Sequence, residues 1–349
     1  MVDIRELLKH AFEKGASDLH ITQDMPPMIR IDGELYATPY DILDKEQTKK
    51  IIYSLLNDKQ KVRFEEDLEL DLSLFIHGLC RFRVNVHMQK GAVEAAFRVI
   101  PNNIKSIEEL ELPPILSELA RRPNGLVLVT GPTGVGKSTT LAAMVDLINK
   151  EKRCLIVSVE DPIEYVHSNQ KSVVKQREVG VDTRSFASAL KHALRQDPNV
   201  ILVGEMRDLE TISTAITAAE TGHLVLSTLH TPDAPQTIDR LIDIFPPHQQ
   251  EQIKVQLSSC LQGVVCQQLL PKKGGKGRIP ACEVMIATSA VRSIIREHKT
   301  EQLLTVMQTG AQYGMTPMDK AIKKLYLNGQ IDLQTAHLKV KDKGEFDKL

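Results

Sequence analysis

The chain has 349 residues, long enough for two domains, and 42% of them are hydrophobic, enough for ordinary buried cores. Its 44 basic and 45 acidic residues leave a formal charge of −1, so it is not built to coat nucleic acid or an acidic membrane. Aromatic residues make up 4% with no Trp, too few for a base-stacking platform, and no nucleic-acid partner is expected.

Residues 1–14 read as an amphipathic helix, with Ile4, Leu7, Leu8 and Ala11 at i, i+3, i+4 and i+7 and Gly15 as its stop. Short strands follow at 19–21 and 28–31, with a hairpin signal at Asp32-Gly33. A helix around 45–56 precedes strands at 68–76, 80–87 and 92–100. His77-Gly78 marks a turn, and Phe82, Val84 and Val86 alternate strictly. Residues 1–100 are therefore expected to form a small α+β domain, and 101–114, with two prolines among polar residues, to be a linker.

From residue 115 strands and helices alternate, which predicts an α/β fold with a parallel sheet. A helix at 115–120 leads to strands at 126–130, 154–159, 200–203 and 224–227. Helices are expected at 139–149, from Phe186 to Leu194, and from Ile212 to Ala219. The core of this domain is expected to span 115–270. From Pro247 onward the pattern reads as mostly helical, apart from the loop Lys272–Lys276 and its flanks, and 271–349 ends in a charged tail.

The five cysteines are irregularly spaced and form no C-x-x-C pair, which argues against a disulfide framework and for a reducing cytoplasm. Charges throughout the first fifteen residues predict no signal peptide. No apolar run approaches the roughly 20 residues that span a bilayer, so membrane contact is expected to be peripheral.

The strongest motif is Gly131-Pro132-Thr133-Gly134-Val135-Gly136-Lys137-Ser138, a full match to G-x-x-x-x-G-K-[ST], followed by Thr139. An apolar strand enters it and a helix leaves. Glycines let backbone N–H groups wrap phosphates, and the helix N-terminus adds partial positive charge. Lys137 can reach the β- and γ-phosphates of ATP, and Ser138 can ligate Mg²⁺. Hydrolysis also needs acids at neighbouring strand ends. Glu164, after the strand 154–159, is the candidate for polarising the attacking water. Glu205, after the strand 200–203, is the candidate Mg²⁺ ligand, although Gly204 sits where many such enzymes carry Asp.

His223 and His230 bracket the strand 224–227 at an odd separation, which on an unbroken strand points them to opposite faces. His230, at the active-site edge, is the stronger candidate for nucleotide contact, and His223 suits packing or a neighbour. Arg81, Arg83, Arg98, Arg195 and Arg207 are candidates for stabilising charge on the γ-phosphate, each weighed against ordinary surface charge.

The segments GPTGVGKSTT, VEDPIEYVH, LRQDPNVILVGEMRDLET and TAAETGHLVLSTLHT, in that order, resemble the P-loop, Asp box, Walker B and His box of the secretion ATPases that drive type II secretion and type IV pili. GASDLHI, PPMIRIDGEL and RFRVNV extend the resemblance into the first domain. Ala290–Glu297, AVRSIIRE, is similar to a segment of the pilus retraction ATPases, with Val291 and Ser293 departing mildly. The sequence shows no four-cysteine insert of the kind the extension and type II secretion ATPases carry, and their additional N-terminal domain is not expected. The resemblance implies a PAS-like first domain, a RecA-like P-loop domain and a homohexameric ring. It implies that arginines matching Arg81, Arg83 or Arg98 approach nucleotide, and that the ring works with an inner-membrane pilus platform protein at the cytoplasmic face. Within Ala290–Glu297, Arg292 and Arg296 stand at i and i+4 and are the expected contacts to that partner.

Overall fold

The computed structural model describes residues 3–31, 33–76, 78–100, 104–275 and 277–346. Expectations that fall on Met1, Val2, Asp32, His77, 101–103, Lys276 and 347–349 lie outside the described residues. The chain divides into two compact units, Met1–Asn103 and Ile104–Leu349.

The first unit begins with the helix Ile4–Glu13, whose buried residues are Ile4, Leu7, Leu8 and Ala11. Asp3 caps it by accepting from Arg5 N. Six antiparallel strands follow: β1 (Asp18–Ile21), β2 (Met28–Ile31), β3 (Glu34–Ala37), β4 (Glu69–Phe75), β5 (Arg81–Gln89) and β6 (Ala92–Ile100). They lie in the order β3-β2-β1-β6-β5-β4. Phe82, Val84 and Val86 of β5 are all buried in a core shared with the helices Ile4–Glu13 and Lys45–Tyr53. A further helix, Asp58–Asp67, was not expected. It buries only Phe64, so it carries no apolar stripe, and it is held instead by a capping box between Asn57 and Gln60. Leu68, at φ 61°, ends it.

The second unit is built on seven strands: β7 (Gly125–Thr130), β8 (Leu155–Glu160), β9 (Val173–Glu178), β10 (Val200–Val203), β11 (Leu224–Leu229), β12 (Leu261–Pro271) and β13 (Arg278–Ile286). Their order is β13-β12-β7-β11-β10-β8-β9, with every neighbouring pair parallel except β12 and β13. The class is α/β, as the alternating pattern implied. β7 is buried along its whole length. The helix Lys137–Glu151 leaves its carboxyl end, and the chain returns to the sheet three places away at β8, so a crevice opens at that end.

The sequence misled most between residues 261 and 286. The expected helical stretch after Pro247 is one helix, Pro247–Cys260, that runs straight into the β12–β13 hairpin. Most of β12 is buried on both faces, so its apolar run shows no period-2 alternation. β9 was also unrecognised, its edge position leaving Val173 and Lys175 exposed. Helices resume after β13. No helix among the described residues is long and apolar enough to cross a membrane, and all five cysteines are free.

Candidate functional site

The phosphate-binding loop connects β7 to the helix Lys137–Glu151. Gly134 and Gly136 take φ of 81° and 90°, a region closed to most side chains. A Cβ on Gly131 would collide with the backbone oxygen of Gln267, so the loop is pressed against β12 there. Lys137 Nζ donates to the carbonyl oxygens of Gly131 at 2.8 Å and Pro132 at 3.0 Å. It also lies 3.4 Å from His230 Nδ1. Burial depresses the Lys137 pKa, opposed by the charges of Glu205 and Glu164.

β8, β10 and β11 run parallel to β7, so their carboxyl ends deliver residues to the same edge. Glu205 follows β10 and His230 follows β11. His230 Nε2 lies 3.1 Å from Glu205 Oε1, and Arg207 Nη2 lies 2.8 Å from Glu205 Oε2. One line of contacts thus runs Lys137–His230–Glu205–Arg207. Burial opposes ionisation of Glu205, but the Arg207 hydrogen bond and the charges of His230 and Arg207 outweigh it and hold the carboxyl below its usual range. Glu164, exposed on the loop after β8, acts electrostatically on Lys137, Glu160 and Tyr165. Gly204 has a steric reason: a Cβ there would sit 3.3 Å from the Cα of Glu160, so the ends of β10 and β8 approach too closely for Asp to replace it freely.

The oxygen donors fit Mg²⁺. Ser138 stands in the first turn of its helix, half-buried, and Glu205 is held as a carboxylate. Among the described residues no group of three or more His, Cys, Asp or Glu side chains could hold a metal alone. That suits an ion bound through one or two protein oxygens together with substrate phosphates.

Two candidates within the second unit, His223 and Arg195, are not brought to this edge. His223 precedes β11 at the opposite edge of the sheet, where its Nδ1 lies 3.0 Å from Ala218 O. The two histidines are therefore separated by the length of the strand, because β11 occupies the residues between them. Arg195 also lies at that opposite edge, exposed in the turn Leu194–Gln196 before β10. Arg81, Arg83 and Arg98 belong to the first unit. Arg83 is exposed and stands directly across from Arg98, whose Nε lies 2.9 Å from Asp18 Oδ1. Arg81 Nε donates to Ser73 Oγ at 2.7 Å.

Arg292 and Arg296 also part company. Arg292 Nη1 donates to the carbonyl oxygens of Ser258 and, at 2.7 Å, Ser259, closing the end of the helix Pro247–Cys260. Arg296 is exposed. The i, i+4 spacing puts both on one side of the helix Ser289–Glu297, but it cannot reveal that a neighbouring helix end lies beneath one of them.

Gln267 and Tyr165 escaped the sequence reading, and Glu160 entered it only as the first residue of the acidic run that ends in Glu164. Gln267 of β12 donates from Nε2 to Val135 O at 2.7 Å and accepts from Thr140 Oγ1 at 2.8 Å. Tyr165 and Thr139 share a hydroxyl contact of 2.8 Å that ties the loop after β8 to the P-loop helix. Glu160, the buried last residue of β8, has its carboxyl pushed up to about 7 by burial, with Ser158 and Gln176 opposing and the Glu164 charge adding. Only Glu160 and Tyr165 carried a signal, as neighbours of Glu164 in VEDPIEYVH.

Comparison with known proteins adds the lineage. The family model described as Type II/IV secretion system protein matches residues 1–337. The type IV pilus retractation ATPase PilT of Pseudomonas aeruginosa is 49% identical over 340 residues, 97% of this chain and 98% of that protein. A twitching motility protein of Neisseria gonorrhoeae is 46% identical over 310 residues, 89% of this chain and 83% of that one. A crystal structure of the pilus retraction motor PilT with bound ADP superposes with a TM-score of 0.94 at 48% identity, covering 100% of both chains.

Proposed function

The chain belongs to the Type II/IV secretion system protein family, and from that premise we propose that it is an ATPase motor whose hydrolysis of ATP drives retraction of type IV pili. The observation that carries the ATPase reading is the line of contacts Lys137–His230–Glu205–Arg207 at the mouth of the P-loop. It links the residue that meets phosphate to an ionised carboxylate at the next strand end. Retraction rests on the likeness to PilT over nearly the whole length of both chains.

In this reading residues 131–139 bind ATP through the backbone N–H groups of all but Pro132, and Lys137 exchanges the Gly131 and Pro132 carbonyls for the β- and γ-phosphates. Glu164 orients and deprotonates the attacking water. His230, between Lys137 and Glu205, senses the γ-phosphate. Mg²⁺, held by Ser138 and Glu205, supplies charge neutralisation on the phosphates when bound. The active form is a homohexamer in the cytoplasm, peripheral at the inner face of the inner membrane. It pulls on a platform protein of the pilus machinery, with Arg296 as the exposed contact.

The test has a biochemical and a cellular arm. Lys137→Ala should abolish ATP hydrolysis by the purified protein, and unchanged turnover would overturn the P-loop assignment. Deletion in the native host should leave cells heavily piliated but unable to twitch. A bald cell would instead indicate a motor for pilus extension.

A further inference from the structure

We propose that Gln267 is a positioning residue for nucleotide binding, holding the Val135–Gly136 peptide so that its N–H faces the phosphates. The inference rests on the nucleotide reading of the P-loop. Gln267 is 3% exposed and reaches the loop from β12, more than 120 residues later in the chain. Val135 O can only accept, so the side-chain NH₂ must face it, which leaves Oε1 for the Thr140 hydroxyl. Thr140 is itself 1% exposed. Both ends of the amide are therefore fixed, one by the buried Thr140 hydroxyl and the other by the half-buried Val135 carbonyl.

The consequence follows from peptide planarity. In a trans peptide the C=O of Val135 and the N–H of Gly136 point in opposite directions. Drawing the carbonyl outward to Gln267 aims the N–H inward, to the concave side of the loop. Gly136, at φ 90°, permits that orientation. The backbone oxygen of Gln267 also abuts Gly131, and its Nε2 would sit 3.2 Å from a Cβ at Gly136. One residue of β12 thus supports the loop at its first glycine, its last glycine and the peptide between Val135 and Gly136.

Two near-isosteric variants separate this role from space filling, read by titration with a fluorescent ADP analogue in the presence of Mg²⁺. Gln267→Met keeps the volume but cannot donate. Gln267→Glu sets a carboxylate against Val135 O, yet its protonated form can donate. Both should weaken binding about tenfold at about pH 8. The loss in Gln267→Glu should shrink as pH falls toward about 6, because burial raises a carboxyl pKa, while the loss in Gln267→Met should not. Wild-type affinity in Gln267→Met, or a pH-independent loss in Gln267→Glu, would overturn the proposal. Should these variants fail to fold, Thr140→Val removes the hydroxyl at constant volume. It should weaken binding several-fold, and unchanged affinity would overturn the proposal equally. The wild type and Lys137→Ala anchor the comparison. If the wild type does not bind the analogue, the nucleotide reading fails. If it binds, Lys137→Ala does not and Gln267→Met binds normally, only the role of Gln267 fails.

Discussion

Glu160, Glu164 and Glu205 all sit at the carboxyl edge of one sheet, yet their surroundings give them different work. Glu205 is held ionised between Arg207 and His230, which suits a cation ligand. Glu164 is exposed and near the charge of Lys137, which suits a base that meets solvent water. Glu164→Gln should therefore bind MgATP but hydrolyse it about 10²–10⁴-fold more slowly, since an amide cannot accept the proton. Glu205→Gln should raise the Mg²⁺ requirement. Single-turnover hydrolysis across a Mg²⁺ titration checks both, and rescue of the Glu164 variant alone by added Mg²⁺ would reverse the roles. Glu160 is buried, and its carboxyl titrates at about 7 rather than 4.5. The folded state favours the protonated form, so the associated stability is full below about 4.5 and is lost as pH rises to about 7. Glu160→Gln removes this titration. The stability of wild type relative to Glu160→Gln should fall by up to about 3 kcal/mol from acid to neutral pH and stay flat above. Denaturant midpoints measured across that range test it, and a pH-independent difference would mean that the carboxyl ionises normally.

The helix Ser289–Glu297 braces a neighbouring helix through one arginine and leaves the other exposed. Thr288 caps it, and Val291, Ile294 and Ile295 anchor it in the core of the second unit. Arg292 closes the end of the helix Pro247–Cys260, whose last carbonyls have no partner within their own helix. Arg292→Ala should cost about 1–3 kcal/mol by stranding them, visible as a lower melting temperature. Arg296→Ala should cost within about 0.5 kcal/mol, leave ATPase activity intact and abolish twitching. Normal twitching of the Arg296 variant would make this an ordinary surface helix. The contrast also marks what was legible in the sequence. The P-loop, Glu205 and His230 could be found because each motif is local and each strand end is marked by its own apolar run. Arg292 and Gln267 act on segments far away in the chain, and no spacing rule registers such contacts. Among the elements that escaped, the helix Asp58–Asp67 and the strands β9 and β12 have burial that departs from the usual period, whereas the helix Ala234–Asp243 buries a regular stripe and was simply passed over. Of the first three, one is almost wholly exposed, one lies at a sheet edge and one is covered on both faces.

At the scale of the whole molecule, each unit has a hydrophobic core of its own, which makes each a self-supporting body rather than a lobe of one core. The division separates chemistry as well as packing. The P-loop, the acids and His230 belong to the second unit, whereas Arg81, Arg83 and Arg98 belong to the first. Phosphoryl transfer gains about 10³–10⁵-fold from an arginine supplied to the γ-phosphate. In the proposed ring that arginine can come from the same chain or from the next one, and mixing tells these apart. Arg83 is the member to remove, because it is exposed while Arg98 is pinned by Asp18 within its own sheet. A chain with Arg83→Ala keeps an intact P-loop, and a chain with Lys137→Ala keeps an intact Arg83. Each alone should be nearly inactive. Mixed in equal amounts and allowed to reassemble, they should recover part of the wild-type ATPase activity, because some interfaces then pair a working P-loop with a working arginine from the neighbour. Steady-state ATPase assays before and after mixing, with light scattering to confirm reassembly, make the measurement. Reassembled rings with no recovered activity would mean that Arg83 serves the P-loop of its own chain, and full activity of the Arg83 variant by itself would remove it from the chemistry.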